Sequence, residues 1–302
     1  MIPAAFLQAW SQKAPWPDLR QVEQDLIICR ALCDLFNAPA LAGRIAFRGG
    51  TAIHKLLFRR PLRYSEDIDL VQTLPEPIGT TVDAVRAALS WLGKCSREQA
   101  GHSMHLVFRF TPEVDPQSTL KVKVEINTRE HTNLFGIRAY PFAVASDWYQ
   151  GKADIASFEP EELFGTKLRA LLQRRRNRDL FDLHQGMEQL ALVPEKVIAC
   201  FNYYMTQEGN PITRAMAEQR MLEKLARSLH EGVAPMLPAG VRWTETDAIR
   251  AFERVWRELI AGLGGERWKL ADTAIDELRA ARYPRLLMGE AGSGQGESGQ
   301  RR

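Results

Sequence analysis

Arg48-Gly49-Gly50-Thr51-Ala52-Ile53-His54-Lys55-Leu56, read as RGGTAIHKL, is followed eleven residues later by Asp67-Ile68-Asp69-Leu70, DIDL. A Gly-Gly-Thr turn at the head of a helix lets backbone approach a phosphate closely and points free N–H groups at it. Thr51 adds a hydroxyl that can donate to that phosphate or cap the helix. In DIDL the period of two puts Asp67 and Asp69 on one face of a strand, with Cα atoms about 6.6 Å apart. Two carboxylates side by side repel unless a cation offsets them, and Mg2+ suits them because it completes its shell with water and substrate phosphate. Each stretch alone is ordinary, a turn and a solvated strand end. Neither matches the longer loop ending in Gly-Lys-Ser/Thr nor the dinucleotide G-x-G-x-x-G.

Outward from these stretches, a strand over Arg44 to Phe47 leads into the glycines, and a short helix runs on to Leu57. Upstream, Asp18 and Gln21 form an Asp-x-x-Gln capping-box pattern. The apolar run that follows, to Asn37, predicts a buried helix. Downstream come a strand at DIDLVQ, a helix from Val82 to Leu92, and alternating strands at Ser103 to Phe110 and Thr119 to Glu130. On the last of these Glu125 points away from the Val122, Val124 and Ile126 side and offers a third carboxylate.

From Pro160 onward strand signals stop. Helical patterns cover Glu161 to Arg174, Asp179 to Leu190, Glu195 to Met205, Thr213 to His230, Thr244 to Leu263 and Leu270 to Ala281. The fold class expected is α+β: a mixed sheet with helices over 1–158, a helical bundle over 159–288, and a disordered Gly/Ser-rich tail over 289–302.

Composition narrows the classes. The 302 residues carry a net charge of +3, with 45% apolar and 25% charged residues, which describes a soluble globular protein and not a polybasic one. Cys29, Cys33, Cys95 and Cys200 make no disulfide framework in so long a chain. Cys29 and Cys33 lack neighbours for a zinc site and read as small apolar core residues. With no signal peptide and no membrane-length apolar run, the expected location is the cytoplasm, with no membrane partner.

The remaining chemistry is cationic. In Gly165 to Gln185, Lys167, Ala170 or Leu171, and Arg174 fall on one helical stripe, so a cation can reach inward from a packed helix. Arg174, Arg175, Arg176 and Arg178 form a basic knot between two helices, either a solvated turn or a phosphate surface. Asp179 is placed as the next helix's N-cap, and Asp182, one turn later, toward the cleft. Phe58 to Glu66, with Arg59, Arg60 and Arg63, reads as a basic loop at the rim.

In this order, FRGGTAIHKL…YSEDIDLV, KVEIN and ELFGTKLRALLQRRRNRDLFDL resemble the nucleotidyltransferase toxins of the AbiEii/AbiGii type. These are MenT-like members of the DNA polymerase β-type nucleotidyltransferase superfamily, and the likeness covers about Ile45 to Leu183. It implies a phosphate turn at Gly49, Gly50 and Thr51, with Ser65 and Lys167 also on the nucleotide. Asp67 and Asp69 would be the catalytic metal-binding pair and Glu125 the superfamily's third metal-binding carboxylate. Lys167 matches the lysine of the helical motif, and Asp182, with Asp179 as the alternative, its final acidic motif. A toxin of abortive infection and phage defence would use Mg2+ or Mn2+ and an NTP to add nucleotides to RNA, a tRNA 3′ end, and so block translation. An antitoxin encoded next door would neutralise it. Modification of a protein or of a small molecule such as an antibiotic is the alternative, and a non-catalytic nucleotide- or RNA-binding regulator the third; the basic arginines favour RNA.

Overall fold

A computed structural model describes residues 2–227 and 229–288. The first long helix, α2 (Leu19–Asn37), follows a short α1 (Ala4–Trp10) that no sequence pattern announced. Asp18 does cap α2, accepting from the Arg20 N–H at 2.9 Å. The expected reciprocal bond is not formed: Gln21 Nε2 donates to the Pro235 carbonyl, and its Oε1 is buried without a partner.

A seven-stranded mixed sheet follows in the order β3-β4-β5-β2-β1-β7-β6. Its strands are β1 (Ile45–Arg48), β2 (Asp67–Gln72), β3 (Cys95–Ala100), β4 (Ser103–Phe110), β5 (Leu120–Asn127), β6 (Ile137–Ala145) and β7 (Gln150–Phe158). Between β1 and β2 lie the single turn α3 (Gly49–Ala52) and a five-residue π turn, Ile53–Leu57. Between β2 and β3 lies α4 (Ile78–Ala88), which starts and ends about a turn earlier than the predicted helix. The central pairing β2–β5 is parallel, while β1–β2 and β4–β5 are antiparallel. The parallel β1–β7 contact rests on the single pair Phe47 and Ser157, supported by the buried Ser157 hydroxyl donating to the Phe47 carbonyl at 2.7 Å.

The pleat divides the sheet into two faces. Ile45 and Phe47 of β1, Ile68 and Leu70 of β2, and Val122, Val124 and Ile126 of β5 pack against α1, α2 and α4 in one core. Ala46, Val71 and Phe158 join a second core built with the later helices. These are α5 (Pro160–Gln173), α6 (Arg178–Gln189), α7 (Pro194–Gln207), α8 (Arg214–Leu225), α9 (Glu245–Glu258) and α10 (Ala271–Ala281). Gly165 and Gly186 permit the closest packing there, since a Cβ would lie 2.6 Å from Cys200 Cβ and 2.1 Å from the Phe164 ring respectively. A Thr244–Asp247 capping box starts α9.

Four of the six predicted C-terminal helices end within two residues of the observed limits. The other two stop early, at Leu225 and Glu258. Among the described residues no helix is long and apolar enough to cross a membrane. Cys29, Cys33 and Cys200 are buried and unpaired as expected, whereas Cys95 is only partly buried. The Gly/Ser-rich tail lies outside the described residues.

Candidate active site

Asp67 and Asp69 point from β2 to the face shared with α5. Asp69 stands opposite Glu125 of β5 on one side and Arg48 of β1 on the other, and Asp67 stands opposite Lys123. They open into a cavity of about 630 Å³ whose walls include Gly49, Gly50, Ser65 and Lys167. Arg174, Arg175, Arg176 and Arg178 complete that wall, so residues far apart in the chain meet in one space. Burial, then the charges of Asp67 and Glu125, push the Asp69 carboxyl above its ordinary range, against the pull of Arg48 and Lys167.

The glycine turn is shaped by this pair. Gly49 has φ +80°, and a Cβ there would lie 2.0 Å from Asp69 Oδ2. At Gly50 it would lie 2.6 Å from Arg63 Nη2. Only glycine admits the carboxylate so close to backbone at a positive φ. Thr51 departs from its expected part. It is buried, and its hydroxyl is engaged with Ser65 Oγ at 2.8 Å and with the Asp67 carbonyl. It therefore pins the turn to β2 and has no hydroxyl to offer a phosphate; nor does it cap α3.

Lys167 comes from α5 and is held at 3.0 Å by both Asp179 Oδ1 and Asp182 Oδ2. Asp182 does not face the cleft. It is fully buried, gripped by Arg63 through Nε (2.7 Å) and Nη2 (2.6 Å) and by His54 Nε2 at 2.9 Å. Burial alone would raise its pKa, but Arg63, Lys167 and His54 together hold it well below the usual carboxylate range. Asp182 thus holds the Lys167 ammonium from behind the cavity wall. Asp179 is not the helix cap either: Asn177 occupies that position, and Asp179 sits buried in the first turn beside Lys167. His54 accepts the Leu62 N–H at Nδ1, which leaves its proton on Nε2 toward Asp182. Burial pushes its pKa down to about 4, consistent with a neutral ring.

The loop from Phe58 to Glu66 is not a uniform basic rim. Phe58, Arg63 and Tyr64 are buried, and Arg63 is committed to Asp182 instead of standing ready for RNA. Arg59 and Arg60 are exposed, but Arg60 lines a separate cavity with Pro61 and Leu62. Only Arg63, Ser65 and Glu66 of this loop reach the carboxylate cavity.

Three cavity cations, Arg48, Lys123 and Arg169, escaped the sequence reading. Arg48 and Arg169 converge on Glu130, the latter at 2.7 Å. Burial works against that carboxylate, yet the two guanidiniums bring its pKa down to about 2. Arg48 is detectable in principle, since alternation puts it on the Asp69 face. Arg169 is two residues from Lys167 and so lies off the stripe on which the spacing was read.

The donor set at Asp67 and Asp69 fits a divalent cation, because two oxygen ligands share one face and crowding already raises one of them. Glu125 fits less well. Its Oε2 lies 3.0 Å from Lys123 Nζ and 3.4 Å from His105 Nε2. Among the described residues no group of three or more His, Cys, Asp or Glu side chains is gathered to hold a metal ion.

The family described as nucleotidyl transferase AbiEii toxin, type IV toxin–antitoxin system, matches residues 30–257. No curated protein matches. Among solved structures, MenT4, a nucleotidyltransferase toxin from Mycobacterium tuberculosis, superposes with a TM-score of 0.60 at 15% identity, covering 95% of this chain and 98% of its own. JHP933 from Helicobacter pylori gives 0.48 at 15% identity, covering 86% and 97%. With carboxylate pair, lysine and glycine turn lining one cavity on this fold, the chain belongs to the AbiEii nucleotidyltransferase toxin family of type IV toxin–antitoxin systems.

Proposed function

We propose that the protein transfers nucleotides from an NTP to an RNA acceptor, a tRNA 3′ end, and thereby blocks translation. The observation that carries this is the continuity of one cavity wall from Asp67 and Asp69 through Lys167 to Arg174, Arg175, Arg176 and Arg178. A small-molecule acceptor needs no such arginine wall, whereas a polyanion does.

Asp67 and Asp69 would hold Mg2+ or Mn2+, which when bound offsets triphosphate charge and makes an acceptor hydroxyl a better nucleophile. The chain's own part is electrostatic and positional. The acceptor hydroxyl gives up its proton to solvent, and its oxygen bonds to the α-phosphorus as the α–β bridging bond breaks and pyrophosphate leaves. Lys167, fixed by Asp179 and Asp182, stands where it can take up charge on that leaving group. Arg48, braced by Glu130, adds positive potential beside Asp69. Backbone at Gly49 and Gly50 leaves room for phosphate oxygens, since no side chain intervenes.

Purified protein incubated with total RNA, Mg2+ and each labelled NTP should label tRNA, and Asp67→Ala should abolish both labelling and growth inhibition. Normal transfer by that variant would overturn the reading. Reversing Arg174, Arg175 and Arg176 to Glu should weaken RNA labelling and flatten its salt dependence by roughly one unit of slope per lost phosphate contact. Activity indifferent to salt and to those arginines would point to a small-molecule acceptor instead.

A further inference from the structure

Lys123 occupies an unusual place for a strand lysine. The parallel register of β2 and β5 sets it opposite Asp67, one pleat away from the Asp69–Glu125 pair. Its ammonium lies 3.0 Å from Glu125 Oε2 and 3.4 Å from Asp67 Oδ2, bridging two of the three carboxylates on this face. The side chain is partly buried and lines the cavity, so it is held in the site and does not trail in solvent. His105 Nε2, from β4, reaches the same Glu125 oxygen at 3.4 Å.

We infer that Lys123 is a built-in cation that replaces a second metal ion, so that the site takes a single divalent ion at Asp67 and Asp69 and leaves Glu125 out of its coordination. This rests on the reading of Asp67 and Asp69 as metal ligands. The charges favour it. Three carboxylates and one ammonium leave a local charge that one divalent ion matches. A second ion between Asp67 and Glu125 would sit almost on the lysine nitrogen and be repelled at contact distance. An ammonium cannot ligate substrate oxygens as a metal does, but it donates hydrogen bonds and carries charge without needing to be recruited from solution. Glu125 then acts on the site through Lys123, fixing where the ammonium stands.

The test is direct Mn2+ binding to the full chain without nucleotide, by calorimetry and by the spin resonance signal of free Mn2+. Melting temperature serves as the check that each variant folds. The wild-type protein should bind Mn2+ at a single site, Asp69→Asn should weaken it by roughly tenfold or more, and Glu125→Gln should keep the single-site stoichiometry and weaken the affinity much less than Asp69→Asn. Lys123→Met should create a second Mn2+ site by freeing Glu125 to join Asp67. Two sites in the wild-type protein, a loss in Glu125→Gln equal to that in Asp69→Asn, or a single site retained in Lys123→Met would each overturn the inference. Undiminished binding in Asp67→Asn and Asp69→Asn would instead overturn the metal-pair reading on which it rests.

Discussion

Gly49 carries more of the site than any side chain of comparable size could. Its positive φ and the 2.0 Å clearance a Cβ would have to Asp69 Oδ2 mean that even alanine must displace the carboxylate or the turn. Gly49→Ala should fold but lose transfer activity by ~10²-fold, as small misplacements of reacting groups do; single-turnover rates beside a melting curve would show it. His54 makes a different prediction. Its folded pKa of about 4 lies below the ordinary 6.5, so the unfolded chain takes up the proton first as pH falls. Its contribution is fully present above about pH 6.5 and is lost as pH drops toward 4, on the order of 3 kcal/mol in all. Urea unfolding from pH 7 to pH 4 should show that decline, and His54→Gln should flatten it. Asp182, with its pKa lowered, loses its contribution only below its ordinary 3.8, so the two windows separate. At this scale the sequence exposes residue type but not engagement. Asp67, Asp69, Lys167 and Arg63 all line the cavity, but Arg63 is tied to Asp182, and Thr51 and Asp182 are engaged by distant partners away from its wall.

Helix α6 shows the same limit one level up. Its span is legible from apolar spacing, and it begins and ends one residue from the prediction. What spacing cannot reveal is that its first two turns are turned inward onto Lys167, Arg63 and His54. Asp182→Asn leaves Arg63 and Lys167 short of a counter-charge in a buried setting and should cost about 3–5 kcal/mol. Denaturant midpoints would measure this, and any surviving enzyme should show a raised KM for NTP as Lys167 loosens. Alternation marks β2, β4 and β5 in the sequence, whereas β3, β6 and β7 are not among the strands it predicts. The edge strand β3, Cys95–Ala100, is exposed along nearly its whole length and so has no buried face to give it a period. The opposite edge strand β6 contains Pro141, which a sheet tolerates only at such a margin and which masks the strand signal. The π turn at Ile53–Leu57 has no period of its own, yet it is what delivers His54 to Asp182 and Lys55 to Asp25 at 2.9 Å.

Seen whole, the molecule sets two apolar cores on opposite faces of one sheet and leaves the polar cavity where the second core, which takes in Val71, stops short of the Asp67 and Asp69 end of β2 and of β5. The acidic wall comes from the strands and the basic wall from α5 and the turn after it. Sequence order alone reveals the two sets of residues, while the sheet register decides that they face each other. Within that sheet the β6–β7 hairpin meets its neighbours at one pair, Phe47 and Ser157, and one buried hydroxyl. A joint with one register pair should open more readily than the five-pair β2–β5 ladder. In hydrogen–deuterium exchange the amides of β6 and β7 should take up label sooner than those of β2 and β5, and Ser157→Ala, losing about 1 kcal/mol, should widen that gap. Phe47 lies two residues before the glycine turn, so fluctuations of this seam would reach the phosphate-facing backbone first, giving the turn a source of breathing motion that the rigid pairing of β2 with β5 denies to the carboxylates.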